Sequence, residues 1–288
     1  MKPGVVSSRR KRIIQPGFIS PLVLKLGGEL LEQPADVSRV ARGIARLSRK
    51  TPLVVVHGGG KEIDAALATA GIEKVQVDGL RVTDAPTLDV VVAILAGAIN
   101  TRLVAAVRAA RAKPVGLTGA DAGVVTVKRA APLTTVSGQR ISLGLVGAPT
   151  GNGAPHLLSD LLAGGYVPIV ACIGATRDGQ LLNVNADTLA AHLAVSLRAR
   201  RLVIAGGTTG VLDANGRTIG RLDARAAARL IGLGTANAGM VAKLQACRAA
   251  VKGGVADVLV LNGRTAAFAG LADTKKTPGD TAGTQVVA

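Results

Sequence analysis

Two glycine-rich segments, each following a short apolar strand, are the parts of this sequence best suited to chemistry on an anion. The first segment is Gly27–Gly28, after residues 22–26, and the second is residues 58–60, after residues 54–57. Because glycine has no Cβ, backbone N–H groups in such turns can approach a ligand closely, and a helix that begins there adds partial positive charge. The pattern predicts an anion site, although a plain strand-to-helix turn would need the same glycines.

Two lysines and one acidic segment could supply charge to that site. Lys25 lies inside the apolar run that ends at Gly27, and Lys243 lies beside the apolar stripe of a predicted helix. Open α/β sheets place ligands at the carboxyl ends of their strands, so Lys25 is expected to point towards the glycine turns. The alternatives are a snorkelling Lys25 and a solvated Lys243. Asn185 and Asp187 precede an alanine-rich helix, and either residue could simply cap it.

The positions of apolar residues predict alternating strands and helices, which is typical of an α/β protein. Residues 75–83 predict a small hairpin with Arg81 on its return strand, and residues 124–146 a β-rich insertion. Strands are predicted at residues 22–26, 54–56, 115–117, 167–173, 201–205 and 255–261, with a short one at 285–287, and helices at 34–50, 61–70, 86–112, 155–163, 186–197, 223–230 and 238–251.

The composition supports a globular enzyme and argues against several other classes. The 288 residues are 48% hydrophobic, with 37 glycines, two Phe, one Tyr and no Trp. The net charge of +17 suits an enzyme that handles anions. Because aromatic residues that stack on bases are scarce and no zinc-finger spacing occurs, specific nucleic-acid binding is not expected. The three histidines have no zinc spacing, and no serine-nucleophile elbow occurs.

The sequence also predicts where the protein is located in the cell and which segment lies outside its folded part. Cys172 and Cys247 lie in apolar runs and predict reduced core thiols in a cytoplasmic protein. No apolar run is judged long enough to cross a membrane, and the first twenty residues lack a secretory signal, so a soluble protein is expected. Residues 1–20 carry five cationic and no acidic side chains, which predicts a flexible basic arm, either a solvated extension or an organelle-targeting segment.

Five short segments occur in an order that resembles the acetylglutamate kinases of the amino acid kinase family. They are residues 24–28 (LKLGG), 57–60 (HGGG), 79–83 (GLRVT), 183–187 (NVNAD) and 239–243 (GMVAK). The resemblance runs from about Pro21 to the C-terminus. It implies a three-layer α/β/α sandwich around a mainly parallel sheet, with an N-terminal lobe at 21–175 for the acylated amino acid and a C-terminal lobe at 176–288 for ATP.

The resemblance also implies a reaction. ATP, with Mg²⁺ held through its phosphates, would phosphorylate the side-chain carboxylate of N-acetyl-L-glutamate, a step of arginine biosynthesis. Lys25 and Lys243 would stabilise charge on the moving phosphoryl group, and Asp187 would hold both lysines. A carboxylate nucleophile is already ionised at neutral pH, so this chemistry needs positive charge and oriented donors rather than a general base. No residue is assigned as a metal ligand.

Further residues carry over from the matching motifs. By this resemblance, Arg81 would pair with the α-carboxylate of the substrate in a two-pronged contact. The remaining assignments are substrate binding by Gly59, Gly60 and Asn183, phosphate binding by Gly27, Gly28 and Gly58, and nucleotide binding by Gly207, Thr208, Gly210, Leu212 and Asn237.

The nucleotide loop departs from the family pattern, and this departure keeps other functions open. Gly207 stands where the family usually has an acidic residue. The rival hypotheses are a kinase for carrier-bound aminoadipate in lysine biosynthesis, a catalytically silent amino-acid-binding regulatory subunit, and a basic nucleic-acid-binding protein. A homodimer or higher homo-oligomer is expected. The sequence decides neither the subunit number nor sensitivity to arginine.

Overall fold

The computed structural model describes residues 20–134, 138–151, 155–232, 238–265, 268–273 and 283–288. The predicted basic arm lies outside the described residues except for Ser20, and so does Asn237. The strands are β1 (Leu22–Leu26), β2 (Leu53–His57), β3 (Gln76–Val77), β4 (Leu80–Arg81), β5 (Pro114–Thr118), β6 (Val127–Arg129), β7 (Leu133–Thr134), β8 (Arg140–Ile141), β9 (Val146–Pro149), β10 (Val167–Ala171), β11 (Ile173–Ala175), β12 (Leu181–Val184), β13 (Arg201–Gly206), β14 (Arg221–Asp223), β15 (Val258–Asn262) and β16 (Gly283–Val287).

Helices connect these strands and cover the main sheet. They are α1 (Pro34–Ser48), α2 (Gly60–Thr69), α3 (Ala85–Val92), α4 (Asn100–Ala109), α5 (His156–Ala163), α6 (Ala186–Ser196), α7 (Ala224–Gly232) and α8 (Ala238–Lys252). Helix α4 packs against β5, β10 and α1, whereas α6 packs against β1, β2, β13 and α8. The predicted three-layer α/β/α fold is confirmed.

The main sheet, within the described residues, has eight strands in the order β14-β16-β15-β13-β1-β2-β10-β5. The pairs from β15 through β5 are parallel, and the β15–β16 pair is antiparallel. Strands β1, β2 and β10 are buried along their whole length, and Val and Leu dominate them, as expected for parallel strands covered on both faces. The carboxyl ends of β1, β2 and β13 therefore meet at one edge.

One predicted strand is divided in the structure. Residues 167–173 were expected to form a single strand, but β10 ends at Ala171 and β11 begins at Ile173 in a second sheet of order β11-β12-β9-β6. Between them, the thiol of Cys172 is buried and donates to the carbonyl of His57, 2.8 Å away. The chain changes sheets here because β11 pairs antiparallel with β12, which delivers Asn183 to the same edge.

A continuous helix over Ala85–Ala109 comprises α3, a π-helical turn (Ala93–Ile99) and α4. Among the described residues it is the one helix long and apolar enough to cross a membrane, which corrects the expectation that no run has that length. Only 33% of its most apolar window is buried. One face of this helix packs into the core through Leu95 and Ile99. The helix therefore forms part of an outer layer, and its opposite, exposed face is rich in small apolar residues.

Candidate active site

A buried ion pair lies at the carboxyl end of β1. The Nζ atom of Lys25 is 2.8 Å from Oδ1 of Asp187, and both residues are only 5% exposed. Burial by itself lowers the pKa of Lys25, but the facing charge of Asp187, with a smaller contribution from Glu29, outweighs burial and leaves that pKa raised. Lys25 is therefore a fixed cation inside the protein, and it does not snorkel to solvent.

The start of α6 separates the roles of two polar residues that the sequence left ambiguous. The side chain of Asn185 caps the helix by accepting hydrogen bonds from the N–H groups of Asp187 and Thr188, both at 3.0 Å. The carboxylate of Asp187 is thereby free to face Lys25. One short segment thus supplies a helix cap and an anionic partner for the buried lysine.

The two glycine turns lie directly against each other. A Cβ on Gly28 would lie 2.8 Å from Cα of Gly59, and a Cβ on Gly59 would collide with the side chain of Ile99. A larger residue at position 28 would therefore push the two turns apart, and one at position 59 would displace Ile99. Apart from its chain neighbours and its own helix backbone, no heavy atom of the described residues lies within 4 Å of the position of a Cβ on Gly60, so that residue borders open space.

The glycines differ in which backbone donors they offer. The N–H of Gly27 donates to the carbonyl of Ala205 (2.8 Å), and the N–H of Gly58 donates to that of Leu26 (3.0 Å), so both extend the sheet. In contrast, Gly59 caps α2 and Gly60 is its first residue, and first-turn N–H groups have no partner within a helix. The start of α2 therefore offers N–H donors to an anion, whereas the N–H groups of Gly27 and Gly58 are already used in the sheet.

Lys243 approaches the same edge from α8. Its Cε atom is 3.7 Å from the position of a Cβ on Gly206, the last residue of β13. Its Nζ atom makes a long contact of 3.5 Å with the carbonyl of Gly239, and within the described residues no ion pair joins it to Asp187. The structure therefore brings both lysines to neighbouring strand ends, and Asp187 is paired with Lys25.

Arg81 projects from the β3–β4 hairpin towards the second glycine turn. Its guanidinium pairs with Asp64 of α2 and makes a 3.4 Å contact with the carbonyl of Gly60. Its Nη1 atom is buried and has no hydrogen-bond partner among the described residues. Burial raises the pKa of Asp64, but Lys74 and Arg81 outweigh it, so the net pKa is lowered and Asp64 stays anionic. Nη1 is thus a charged donor that the described residues leave unpaired.

Asn183 lies beside the same hairpin. Its Nδ2 atom donates to Oγ1 of Thr83 at 3.2 Å, and Thr83 is completely buried. The N–H of Thr83 donates to the carbonyl of Leu143, which ties the chain after the hairpin to the insertion. Because Thr83 is two residues from Arg81, the fold brings Arg81 and Asn183 together although about one hundred residues separate them.

The predicted nucleotide loop follows β13. The N–H of Gly207 donates to Oε1 of Glu29 at 2.9 Å, and the side chain of Leu212 is 45% exposed. Gly210 has φ of +142°, and a Cβ there would lie 2.6 Å from Oγ1 of Thr284, so glycine is required on both grounds. Thr208 is exposed. The loop thus presents an open surface with one apolar side chain.

A buried polar pair supports the second glycine turn from below. Nδ2 of Asn100 lies 3.1 Å from Nε2 of His57 and donates to the carbonyl of Ile169 at 2.9 Å. Burial lowers the pKa of His57 to about 4, although its contact with the carbonyl of Gly58 opposes this change. His57 is therefore neutral at pH 7, with Nε2 accepting from Asn100. This neutral pair positions the residue just before the glycines.

Sequence reasoning did not find four residues that the structure brings to this region: Glu29, Asp64, Thr83 and Asn100. Thr83 belongs to a recognised motif, and Asp64 follows Gly60 by one helical turn, which gave a weak signal. Glu29 contacts Gly207 across 178 positions of sequence. No local pattern predicts a contact over that separation.

These features define a class of protein. A mainly parallel sheet whose strand ends carry glycine turns, a helix start and two lysines is typical of α/β proteins that bind phosphorylated ligands. The model of the Amino acid kinase family matches residues 20–262. This chain belongs to the amino acid kinase family.

Individual relatives agree with that assignment. An acetylglutamate kinase of Serratia proteamaculans is 39% identical over 225 residues, covering 77% of this chain and 83% of the relative. A solved N-acetylglutamate synthase of Neisseria gonorrhoeae, complexed with coenzyme A and N-acetyl-glutamate, superimposes with a TM-score of 0.76 at 26% identity over 93% of this chain. This chain spans only 59% of that synthase. Giardia lamblia carbamate kinase bound to AMP-PNP shares the fold, with a TM-score of 0.64 at 16% identity.

Proposed function

We propose that this chain transfers the γ-phosphoryl group of ATP to the side-chain carboxylate of N-acetyl-L-glutamate, a step of arginine biosynthesis. The observation that carries the proposal is the convergence of the buried Lys25–Asp187 pair, the glycine turns and the Arg81 guanidinium on one sheet edge. The 39% identity to the Serratia acetylglutamate kinase over most of both chains supports the same substrate.

The phosphoryl transfer follows from the charges at this edge. A carboxylate oxygen of the substrate attacks the γ-phosphorus, and the bond from phosphorus to the β–γ bridging oxygen breaks, giving an acyl phosphate and ADP. No proton is transferred, because the attacking carboxylate is already ionised at pH 7. Lys25 and Lys243 offset the repulsion between the two anions, and Asp187 keeps Lys25 charged and in place.

The acceptor end of the substrate lies on the Arg81 side of this edge. The guanidinium of Arg81 supplies the charge that binds the α-carboxylate, and Asp64 fixes the guanidinium in place. The side-chain amide of Asn183 binds the acylated amine of the substrate. The first-turn N–H groups of α2, at Gly59 and Gly60, face the reacting carboxylate, and the glycines at 27, 28 and 58 make room for phosphate.

The nucleotide lies on the β13 side in this proposal. Gly207, Thr208 and Gly210 line its path, the half-exposed Leu212 offers an apolar contact for the base, and Asn237 is assigned from the resemblance alone. Accordingly, residues 21–175 form the acyl-amino-acid lobe and residues 176–288 the ATP lobe, joined by the one main sheet.

Mg²⁺ enters as part of the MgATP substrate. The described residues contain no group of three or more His, Cys, Asp or Glu side chains that could hold a metal ion. In this proposal Mg²⁺ is held by the ATP phosphate oxygens and by water, since Mg²⁺ in kinase sites keeps several waters and binds substrate phosphates. When bound, the metal neutralises phosphate charge.

The exposed helix over Ala85–Ala109 is the face on which we place a homodimer. Its exposed side chains are mostly small and apolar, so two copies can approach closely and remove this surface from water. The enzyme is proposed to act in the cytoplasm, because Cys172 and Cys247 are both free thiols.

The direct test measures ADP release and acyl phosphate, trapped as a hydroxamate, with MgATP and four acceptors: N-acetyl-L-glutamate, glutamate, aspartate and aminoadipate. N-acetyl-L-glutamate should give by far the highest kcat/KM, because Asn183 reads an amide where free glutamate carries an ammonium group. Equal turnover of glutamate would contradict the assignment. The same assay tests the role of Lys243 through the variant Lys243→Ala. Its matched control is Lys252→Ala, which removes a lysine from the exposed far end of the same helix, α8.

A further inference from the structure

Glu29 is a charged residue at this edge that the proposed mechanism does not use. Its Oε1 atom accepts a hydrogen bond of 2.9 Å from the N–H of Gly207. The carboxylate fills the space where a Cβ on Gly27 would lie, and Oε1 is 3.0 Å from the corresponding position on Gly206. The carboxylate is therefore enclosed by the glycines that end β1 and β13.

Two lysines lie near this carboxylate. The Cε atom of Lys243 lies 3.7 Å from the same Cβ position on Gly206 that Oε1 of Glu29 approaches. The charge of Glu29 also acts on the buried ammonium group of Lys25. A backbone N–H, a glycine surface without Cβ atoms and facing lysines are what a phosphate oxygen requires. The carboxylate of Glu29 thus makes contacts that suit a nucleotide phosphate.

The local backbone allows this side chain to leave. Glu29 lies in the short 3₁₀ turn Gly28–Leu30 and is partly exposed, whereas its neighbour Leu30 is fully buried and anchors the turn. Arg264 holds the backbone carbonyl of Glu29 at 3.0 Å. The side chain can therefore rotate into solvent while the main chain stays in place.

We propose that Glu29 competes with the phosphates of ATP for the glycine surface between β1 and β13, so that it sets the enzyme's affinity for nucleotide. The inference rests on the proposed function, because it assumes that phosphate binds beside Lys25 and Lys243. Two anions cannot share this surface, so nucleotide binding includes displacement of the Glu29 side chain. The Glu29 carboxylate is carried by the turn after β1, which faces the nucleotide loop. In that loop, Gly207 stands where the family usually has an acidic residue.

The test compares Glu29→Gln and Glu29→Ala with Glu32→Ala, a control whose side chain instead pairs with the exposed Lys61 at 3.2 Å. Isothermal titration calorimetry measures Kd for ADP, AMP-PNP and adenosine, with and without Mg²⁺. Removing the competing charge should tighten ADP and AMP-PNP binding by about fivefold to tenfold. Adenosine has no phosphate, so its Kd should not change.

Each other outcome has a defined meaning. Unchanged Kd for ADP in both Glu29 variants overturns the inference, and so does binding that weakens only when Mg²⁺ is present, because Glu29 would then be a metal ligand. Tightening by Glu32→Ala of similar size would reduce the effect to general surface charge and also overturn it. Failure of the proposed function is a separate result, since it would show as no ADP release by the unaltered chain with N-acetyl-L-glutamate.

Discussion

Replacing Lys25 by methionine should separate its catalytic contribution from its structural one. The ammonium group is buried, lies 2.8 Å from Asp187 and borders the glycine turns. If it stabilises the moving phosphoryl group, Lys25→Met should lower kcat by about a hundredfold or more, equivalent to about 3 kcal/mol of transition-state stabilisation. The KM for N-acetyl-L-glutamate should change much less.

The same substitution also removes the partner of a buried carboxylate. Leaving Asp187 unpaired should cost about 3–5 kcal/mol of unfolding free energy. Combining Lys25→Met with Asp187→Leu replaces the buried pair by apolar side chains, which is often neutral for stability. The double variant should therefore recover most of the unfolding free energy in urea denaturation but keep the low kcat.

A double variant that regains stability but keeps a low kcat would identify Lys25 as a residue that acts in phosphoryl transfer. ADP release and hydroxamate formation measure kcat, and urea titration measures stability on the same samples. If kcat recovered together with stability in the double variant, Lys25 would be only a structural residue, and its role in phosphoryl transfer would have to be abandoned. Lys252→Met, at an exposed position, should alter neither quantity.

Three further changes test other contacts of the site. Lys243→Ala should also lower kcat by about a hundredfold but leave stability nearly unchanged, and combined with Lys25→Met it should lose less than the sum of the two, which steady-state kinetics would check. Arg81→Lys should chiefly raise the KM for N-acetyl-L-glutamate, because a point charge replaces a planar fork; an unchanged KM would remove Arg81 from the site. His57 has a pKa lowered from 6.5 to about 4, so unfolding free energy should fall by about 3 kcal/mol as pH drops across that interval. His57→Gln, which still offers an acceptor to Asn100, should flatten that pH dependence in urea titrations, and an unchanged slope would assign it to other groups.

The sequence predicted the local elements of this fold well because each depends on short-range pattern. The glycines after Leu26 and His57, and the helix pattern after residue 60, marked the strand ends without any knowledge of neighbours. The division of residues 167–173 into two strands was missed, since it depends on pairing with β12 and on the contact between Cys172 and His57.

The site shows the same limit more sharply. The lysine inside an apolar run signalled that Lys25 has a specific role, but only the structure distinguished Asn185 as the cap from Asp187 as the ion partner. Contacts across long separations, such as Glu29 with Gly207, leave no periodic trace in one sequence. A hydrogen bond of this kind depends on how the two turns pack against each other, and that packing is a property of the whole sheet.

The position of β1 inside the main sheet has a consequence for how the chain folds. β1 pairs with β2 on one side and with β13 on the other, so its register joins Leu22 to both Leu53 and Arg201. During synthesis at roughly 5–20 residues per second, one edge of this apolar strand stays without its native neighbour for about 10–35 s. Asp187 is also absent during most of that time, so Lys25 remains hydrated and cannot be buried. We therefore expect the centre of the sheet to close late, with an exposed strand edge that a nascent chain must protect from aggregation.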